Sequence, residues 1–122
     1  MDAGAALEEY LAHLANARRA SPNTTEAYRG DLTLFIGFLA RHTGEVPDLD
    51  GLAALRPADL RAFLAVRAAE GESNATRARR LAAIRGFLRH LARRHRGSTE
   101  ALAGLRGPRA KAPVPRALTP EE

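Results

Sequence analysis

Residues 73–96 read SNATRARRLAAIRGFLRHLARRHR, and the spacing of their apolar side chains decides the fold class. Leu81, Ile84, Leu88 and Leu91 recur every three or four positions, with Phe87 on their flank. At about 100° per residue these side chains fall within a sector of roughly 120°, which predicts one long amphipathic helix. Arg85, Arg89 and Arg93 follow at intervals of four, and Arg79 extends the line at its start. This second stripe lies roughly 100° or more round the helix from the first, so one face can pack while an adjacent face stays wet and positive. Ser73 or Asn74 is placed to cap the first turn with a short side-chain oxygen. A capped N-terminus carrying Asn74, Thr76 and Arg77 suits a phosphate, because free N–H groups and the helix dipole both favour an anion.

The flanking sequence carries the same helical period. Helix one is expected from about Asp2 to Arg18, with Leu7, Leu11 and Leu14 on its buried face and Tyr10 beside them. Ala20 and Ser21 break it. Ser21 followed by Pro22 is a start signal, since a proline at the first helical position lacks only an N–H that was unpaired anyway. Helix two is expected over Pro22 to Arg41, with Tyr28, Leu32, Phe35, Ile36 and Leu39 on one face and Leu34 and Phe38 on another. Gly44 is its expected C-cap. The stretch EVPDLDGLAAL reads as a loop that tucks Leu49, Leu52 and Leu55 against the bundle. Helix three starts at Arg56 and Pro57, with Asp59 near the positive end of its dipole and Leu60, Phe63, Leu64 and Val66 inward; Gly71 ends it. Gly97 closes the Ser73 helix, and Ser98 caps a short helix through Leu102.

The expected fold is therefore all-α: a bundle of four main helices, a short C-terminal helix and an extended linker. Residues 1–106 are taken as one helical domain and residues 107–122 as a basic, Pro-rich linker. Thr119, Pro120 and Glu122 repeat the N-cap, proline and capping-box pattern, so a further domain is expected to follow.

Composition narrows the function classes. The chain has 122 residues, 45% apolar but only 5% aromatic, so its core rests on Leu, Ala, Ile and Val. Formal net charge is +5, and Lys111 is the single lysine. Arginine offers a planar fork of donors to phosphates, although base composition of the genome is a competing reason for its abundance. There is no cysteine, which excludes disulfides, thiolate zinc sites and a cysteine nucleophile and suits the cytoplasm. No apolar run approaches the ~20 residues of a membrane span, and the acidic start MDAGAALEEY does not resemble a signal peptide. His13, His42, His90 and His95 are expected to be scattered surface residues, His90 and His95 standing on different faces. Glu8, Glu9, Asp48 and Asp50 are expected to be solvated, and no glycine-rich phosphate loop is present.

The segment SPNTTEAYRGDLTLFIGFL, through Asn23, Thr24, Tyr28, Asp31, Leu32 and Phe35, resembles the opening helix pair of the N-terminal core-binding (SAM-like) domain of tyrosine site-specific recombinases. SNATRARRLAAIRGFLRHL, through Thr76, Arg80, Leu81, Ile84, Arg85 and Phe87, resembles that domain's last long helix. PRALTPEE resembles the linker into the catalytic domain. The likeness covers about Leu7 to Glu122 and is to the Xer type, nearer XerC than XerD. It implies a parent enzyme that cuts and rejoins DNA through a phosphotyrosine bond, without metal or nucleotide cofactor. It implies XerC–XerD pairs, assembled as a tetramer on two recombination sites, that resolve chromosome dimers at cell division. The family's catalytic Arg, Lys, His and Tyr belong to a second domain and match no position here; Tyr10 and Tyr28 sit at core spacing.

The resemblance also implies that the second and last long helices approach double-stranded DNA. The expected contacts are Thr24, Thr25 and Arg29 at the start of helix two, and Asn74, Thr76, Arg77, Arg79, Arg80 and Arg85 on the Ser73 helix. Most would position the duplex, and a bidentate arginine would be needed to read a guanine. The Leu34 and Phe38 side of helix two is expected to be exposed and to meet another subunit. The competing readings are a phage-type integrase domain, a helical protein-interaction module and a stand-alone DNA-binding regulator. The regulator would need a short helix-turn-helix, and the long loop after Gly44 counts against it.

Overall fold

The helices begin and end where their capping residues put them. The computed structural model describes residues 1–107, so the linker expected from residue 107 and the helix start at Thr119 fall, past that first residue, outside the described residues. In chain order the elements are α1 (Ala3–Asn16), α2 (Pro22–Thr43), α3 (Leu49–Ala53), α4 (Pro57–Ala69), α5 (Asn74–His95) and a 3-10 turn at Glu100–Leu102. No strand runs among them beyond a single antiparallel bridge between Asp2 and Asp48. The all-α expectation therefore holds over the described residues.

Two long helices open with the same device. Ser21 Oγ accepts the Thr24 N–H at 3.1 Å and Ser73 Oγ accepts the Thr76 N–H at 3.1 Å. Each satisfies an otherwise unpaired first-turn donor. α4 is closed differently: Asp59 Oδ2 accepts the Arg56 N–H at 2.8 Å, a reach back from its first turn. Gly44 ends α2 at φ +95, a left-handed position that suits glycine. α5 ends one residue earlier than its glycine predicts, because Arg96 itself adopts the left-handed conformation at φ 57. α1 is shorter than expected at both ends: Asp2 is its N-cap, holding the Ala5 N–H at 2.9 Å, and Ala17 its C-cap. The stretch expected as plain loop contains α3, which Asp48 caps through the Gly51 N–H at 2.8 Å.

α5 packs against all four other α-helices and organises the core. Leu81, Ile84, Phe87, Leu88 and Leu91 are buried as the period requires, and Ala83 and His90 are buried with them. The rings of Phe35 and Phe63 meet edge-on at 5.2 Å, and Phe38 joins Phe63 at 5.5 Å. Phe38 and Leu34 are therefore only partly exposed and rest on the core, which corrects their expected role as a bare outer face. Leu52 and Leu55 tuck inward as expected, whereas Val66 faces solvent.

The α1–α5 seam holds what the sequence hid. His90 is 1% exposed, and its Nε2 donates to Glu9 Oε2 at 2.8 Å. His95 Nε2 donates to the same carboxylate at 2.9 Å, and the His13 ring lies 4.9 Å from that of His90. Two histidines expected on separate faces thus converge on one acid from α1, and Glu9 is not simply solvated. Glu8 likewise pairs with Arg29, and His42 Nε2 lies 3.2 Å from Asp59 Oδ1. Burial pulls the Glu9 carboxyl upward, but hydrogen bonds from His95 and His90 outweigh it and hold the group below its ordinary value. Among the described residues no three His, Cys, Asp or Glu side chains gather to hold a metal.

Tyr10 of α1 crosses α5 directly over Gly86. A Cβ at Gly86 would overlap the Tyr10 hydroxyl and lie 3.2 Å from Cζ. Gly86→Ala should therefore lower stability by about 1–2 kcal/mol despite the better helix propensity of alanine. In a Tyr10→Phe background most of that loss should vanish; a urea-unfolding cycle in which the loss persists would show that the overlap is not its cause. The Glu9 clasp has a pH signature. A carboxylate depressed in the folded state contributes stability that is complete above its unfolded value, near 4.5 here, and is lost as pH falls through the folded value. The urea midpoint should fall below pH 4.5 more steeply for the parent chain than for Glu9→Gln.

Candidate nucleic-acid interface

A buried carboxylate sets how α2 and α5 meet. Asp31, on α2, is fully buried. Its Oδ1 accepts from Arg79 Nη2 at 2.6 Å and Arg80 Nη1 at 2.9 Å, and its Oδ2 from Arg79 Nε at 3.1 Å. Arg80 also donates through Nε and Nη2 to Glu72, at 2.8 and 2.6 Å. Glu72 in turn lies 3.3 Å from Arg67 Nη1 on α4. Hydrogen bonding from Arg80, ahead of the opposing effect of burial, lowers the Glu72 carboxyl below its ordinary value, and its bond to Glu72 raises the Arg80 guanidinium. Five charged side chains thus tie α2, α4 and α5 together at the start of α5.

The network sorts the nine residues expected to meet DNA. The Arg80 side chain is 15% exposed and is committed inward to Asp31 and Glu72. Arg79 is half exposed, with Nη1 unused among the described hydrogen bonds. Asn74 accepts from Arg77 Nη2, while Arg77 Nε is buried without a partner among the described residues. Arg77 lines a groove with Arg61, Leu64, Leu105 and Arg106. Thr24 and Thr76 exchange hydrogen bonds with their serine caps at 3.0 and 3.1 Å, and Thr25 donates to the Pro22 carbonyl at 3.0 Å. Arg29 pairs with Glu8, which raises its guanidinium, and lies 3.8 Å from Glu26. Arg85 donates to the Leu105 carbonyl at 3.2 Å, beneath the segment that leaves the 3-10 turn.

What remains open is the outer half of α5. Ala75, Ala82, Arg89 and Arg93 are exposed and Gly86 is half-buried. Small residues let another surface come close to this helix, and the arginines border that strip. Arg89 and Arg93 have no hydrogen bond or ion pair among the described residues, and neither does Arg18 at the end of α1. The stripe of Arg85, Arg89 and Arg93 is legible in the sequence. That its last two members are the uncommitted ones is not, because the partners that occupy the other arginines come from distant segments. Arg18 gives no periodic signal.

No helix among the described residues is long and apolar enough to cross a membrane. Comparison with known families matches residues 7–95 to the phage integrase, N-terminal SAM-like domain. Curated relatives include tyrosine recombinase XerC of Methylobacterium nodulans, 49% identical over 109 residues, which is 89% of this chain and 34% of that protein. XerC of Mesorhizobium japonicum is 46% identical over 97% of this chain and 38% of its own length. XerC of Brucella suis is 41% identical over 99% of this chain and 38% of its own. The chain thus spans little more than a third of these relatives. No solved structure matches it.

The network predicts unequal costs for adjacent arginines. Arg80→Met leaves buried Asp31 and Glu72 each short of a donor and should lower unfolding free energy by about 2–4 kcal/mol. Arg79→Met, at a half-exposed position, should cost about 1 kcal/mol. Equal losses in urea denaturation would mean that Asp31 does not depend on Arg80 in particular.

Proposed function

The chain belongs to the phage integrase N-terminal SAM-like domain family, and we propose that it is the DNA-clamping part of a tyrosine site-specific recombinase of the XerC kind. The observation that carries this reading is the open half of α5, where a strip of Ala and Gly runs beside arginines of which Arg89 and Arg93 have no hydrogen bond or ion pair among the described residues. A helix of that shape fits a major groove, with backbone phosphates neutralised along its edges.

The residues take graded roles in this proposal. Arg79 and Arg85 lie beside the strip, and Arg89 and Arg93 extend the positive surface along it. Thr24, Thr25, Asn74, Thr76 and Arg77 belong to or flank the first turns of α2 and α5, where N–H groups and the helix dipole favour phosphates, and Arg29 lies about two turns into α2. Arg80 acts by holding Asp31 and so positions the two helices. The parent enzyme would cut and rejoin DNA strands at a recombination site, with the chemistry in a second domain, and would resolve chromosome dimers in the cytoplasm at cell division. It would work with a partner recombinase in a tetramer on two sites. The shallow groove on α2 lined by Gly30, Thr33, Leu34 and Gly37 is the proposed subunit contact, in place of the Phe38 side, which is occupied by Phe63.

The test is a titration of the chain at two salt concentrations, with a duplex carrying a Xer-type recombination site and a scrambled control. Binding should weaken with salt by a slope of about −0.9 per phosphate contacted. Preference for the site would place base readout in this domain, and equal binding to both would leave it as a clamp. Absence of binding at low salt would overturn the proposal in favour of a protein-interaction module.

A further inference from the structure

Where α1 and α2 border the open half of α5 there is a cavity of about 380 Å³, lined by Tyr10, Arg18, Tyr28, Gly86, Arg89 and Arg93 among others. No acidic residue lines it. Its three guanidinium groups have no hydrogen bond or ion pair among the described residues. Tyr10 is 4% exposed, yet no described residue accepts from or donates to its hydroxyl, which lies over the bare backbone of Gly86. The hydroxyl is not sealed from solvent but opens into the cavity, where it is free to donate to a group seated there. Burial, then the neighbouring Tyr28, raises the Tyr10 phenol above its ordinary value, so it stays a donor; Arg18 and Arg93 act on it in the opposite sense.

Three arginine forks, two phenols and no carboxylate recognise a tetrahedral oxyanion. We propose that this cavity seats one phosphodiester group of a DNA backbone, gripped by Arg18 just past the end of α1 as well as by Arg89 and Arg93 of α5, with the Tyr10 hydroxyl of α1 donating to a phosphate oxygen. The proposal rests on the DNA-clamping reading and adds α1 to the grip, which the sequence assigned only to the second and last long helices. Gly86 matters here for a second reason: a side chain at that position would fill the floor of the cavity.

The experiment uses the 122-residue chain and a labelled duplex of mixed sequence, titrated across a salt series. Arg18→Gln with Arg93→Gln is compared with Arg56→Gln plus Arg96→Gln, which removes the same charge at exposed positions that line neither the cavity nor the other proposed contacts. The cavity variant should lower the magnitude of the salt slope by about 0.9, one phosphate, and weaken binding roughly tenfold at low salt, while the control keeps the parent slope. Tyr10→Phe, which keeps the packed ring, should weaken binding about threefold with the slope unchanged. If the parent binds and the cavity variant behaves like the control, the phosphate assignment falls and the DNA reading stands. If the parent binds no duplex, both fall. A third arm follows the amide resonances of Ala82 and Gly86 during titration with inorganic phosphate. Saturable shifts that the cavity variant loses, with duplex binding no different from the control, would make the occupant a free anion and overturn the backbone assignment.

Discussion

Asp31 is the constraint on which the arrangement depends. A carboxylate with no solvent exposure must be given donors by the protein, and here they arrive from Arg79 and Arg80, 48 and 49 residues away. Such a buried network adds little net stability compared with a well-packed apolar substitute, because its charges first lose their hydration. Its value is geometric. Consecutive residues on a helix point about 100° apart, so turning both Arg79 and Arg80 to one carboxylate fixes the rotation of α5 against α2. Glu72 then carries the constraint to Arg67 and hence to α4.

Once that rotation is fixed, the two halves of α5 separate in character. One half carries Leu81, Ile84, Phe87, Leu88 and Leu91 into the core, joined by His90, whose ring nitrogen is satisfied by Glu9 of α1. The other half is a bare strip of small residues with arginines beside it. The same close approach that places Tyr10 over Gly86 leaves a phenol at the floor of a basic cavity. Packing and the proposed recognition surface are thus two sides of one helix, and the second cannot be altered at Gly86 without disturbing the first.

Much of the fold was legible before any coordinates. The period of Leu81 to Leu91, the serine and proline starts at Ser21 and Arg56–Pro57, and the stop at Gly44 all describe what a segment does within one or two turns of itself. The misreadings share a cause. α3 is too short for a periodic signal and depends on its Asp48 cap and on Leu52 finding the core. His90 and His95, five positions apart, appear unrelated on a helical wheel, yet a flexible Glu9 side chain reaches both. Phe38 reads as surplus apolar surface until Phe63 arrives from α4 to cover it. Arg96 adopts the left-handed turn that Gly97 was expected to supply, one residue early.

The candidate interface divides in the same way. The sequence by itself determined that the chain is helical, which faces are apolar, and that a stripe of arginine runs along the last long helix. These properties follow from spacing and capping, which act over three or four residues. Only the tertiary structure decided which arginines are occupied and which are free. Arg79 and Arg80 answer to Asp31, Arg29 to Glu8 and Arg85 to the Leu105 carbonyl, whereas Arg18, Arg89 and Arg93 answer to nothing among the described residues. A guanidinium has the same composition whether it braces a core or waits for a phosphate. The difference lies in whether a carboxylate from a distant segment has been folded up against it.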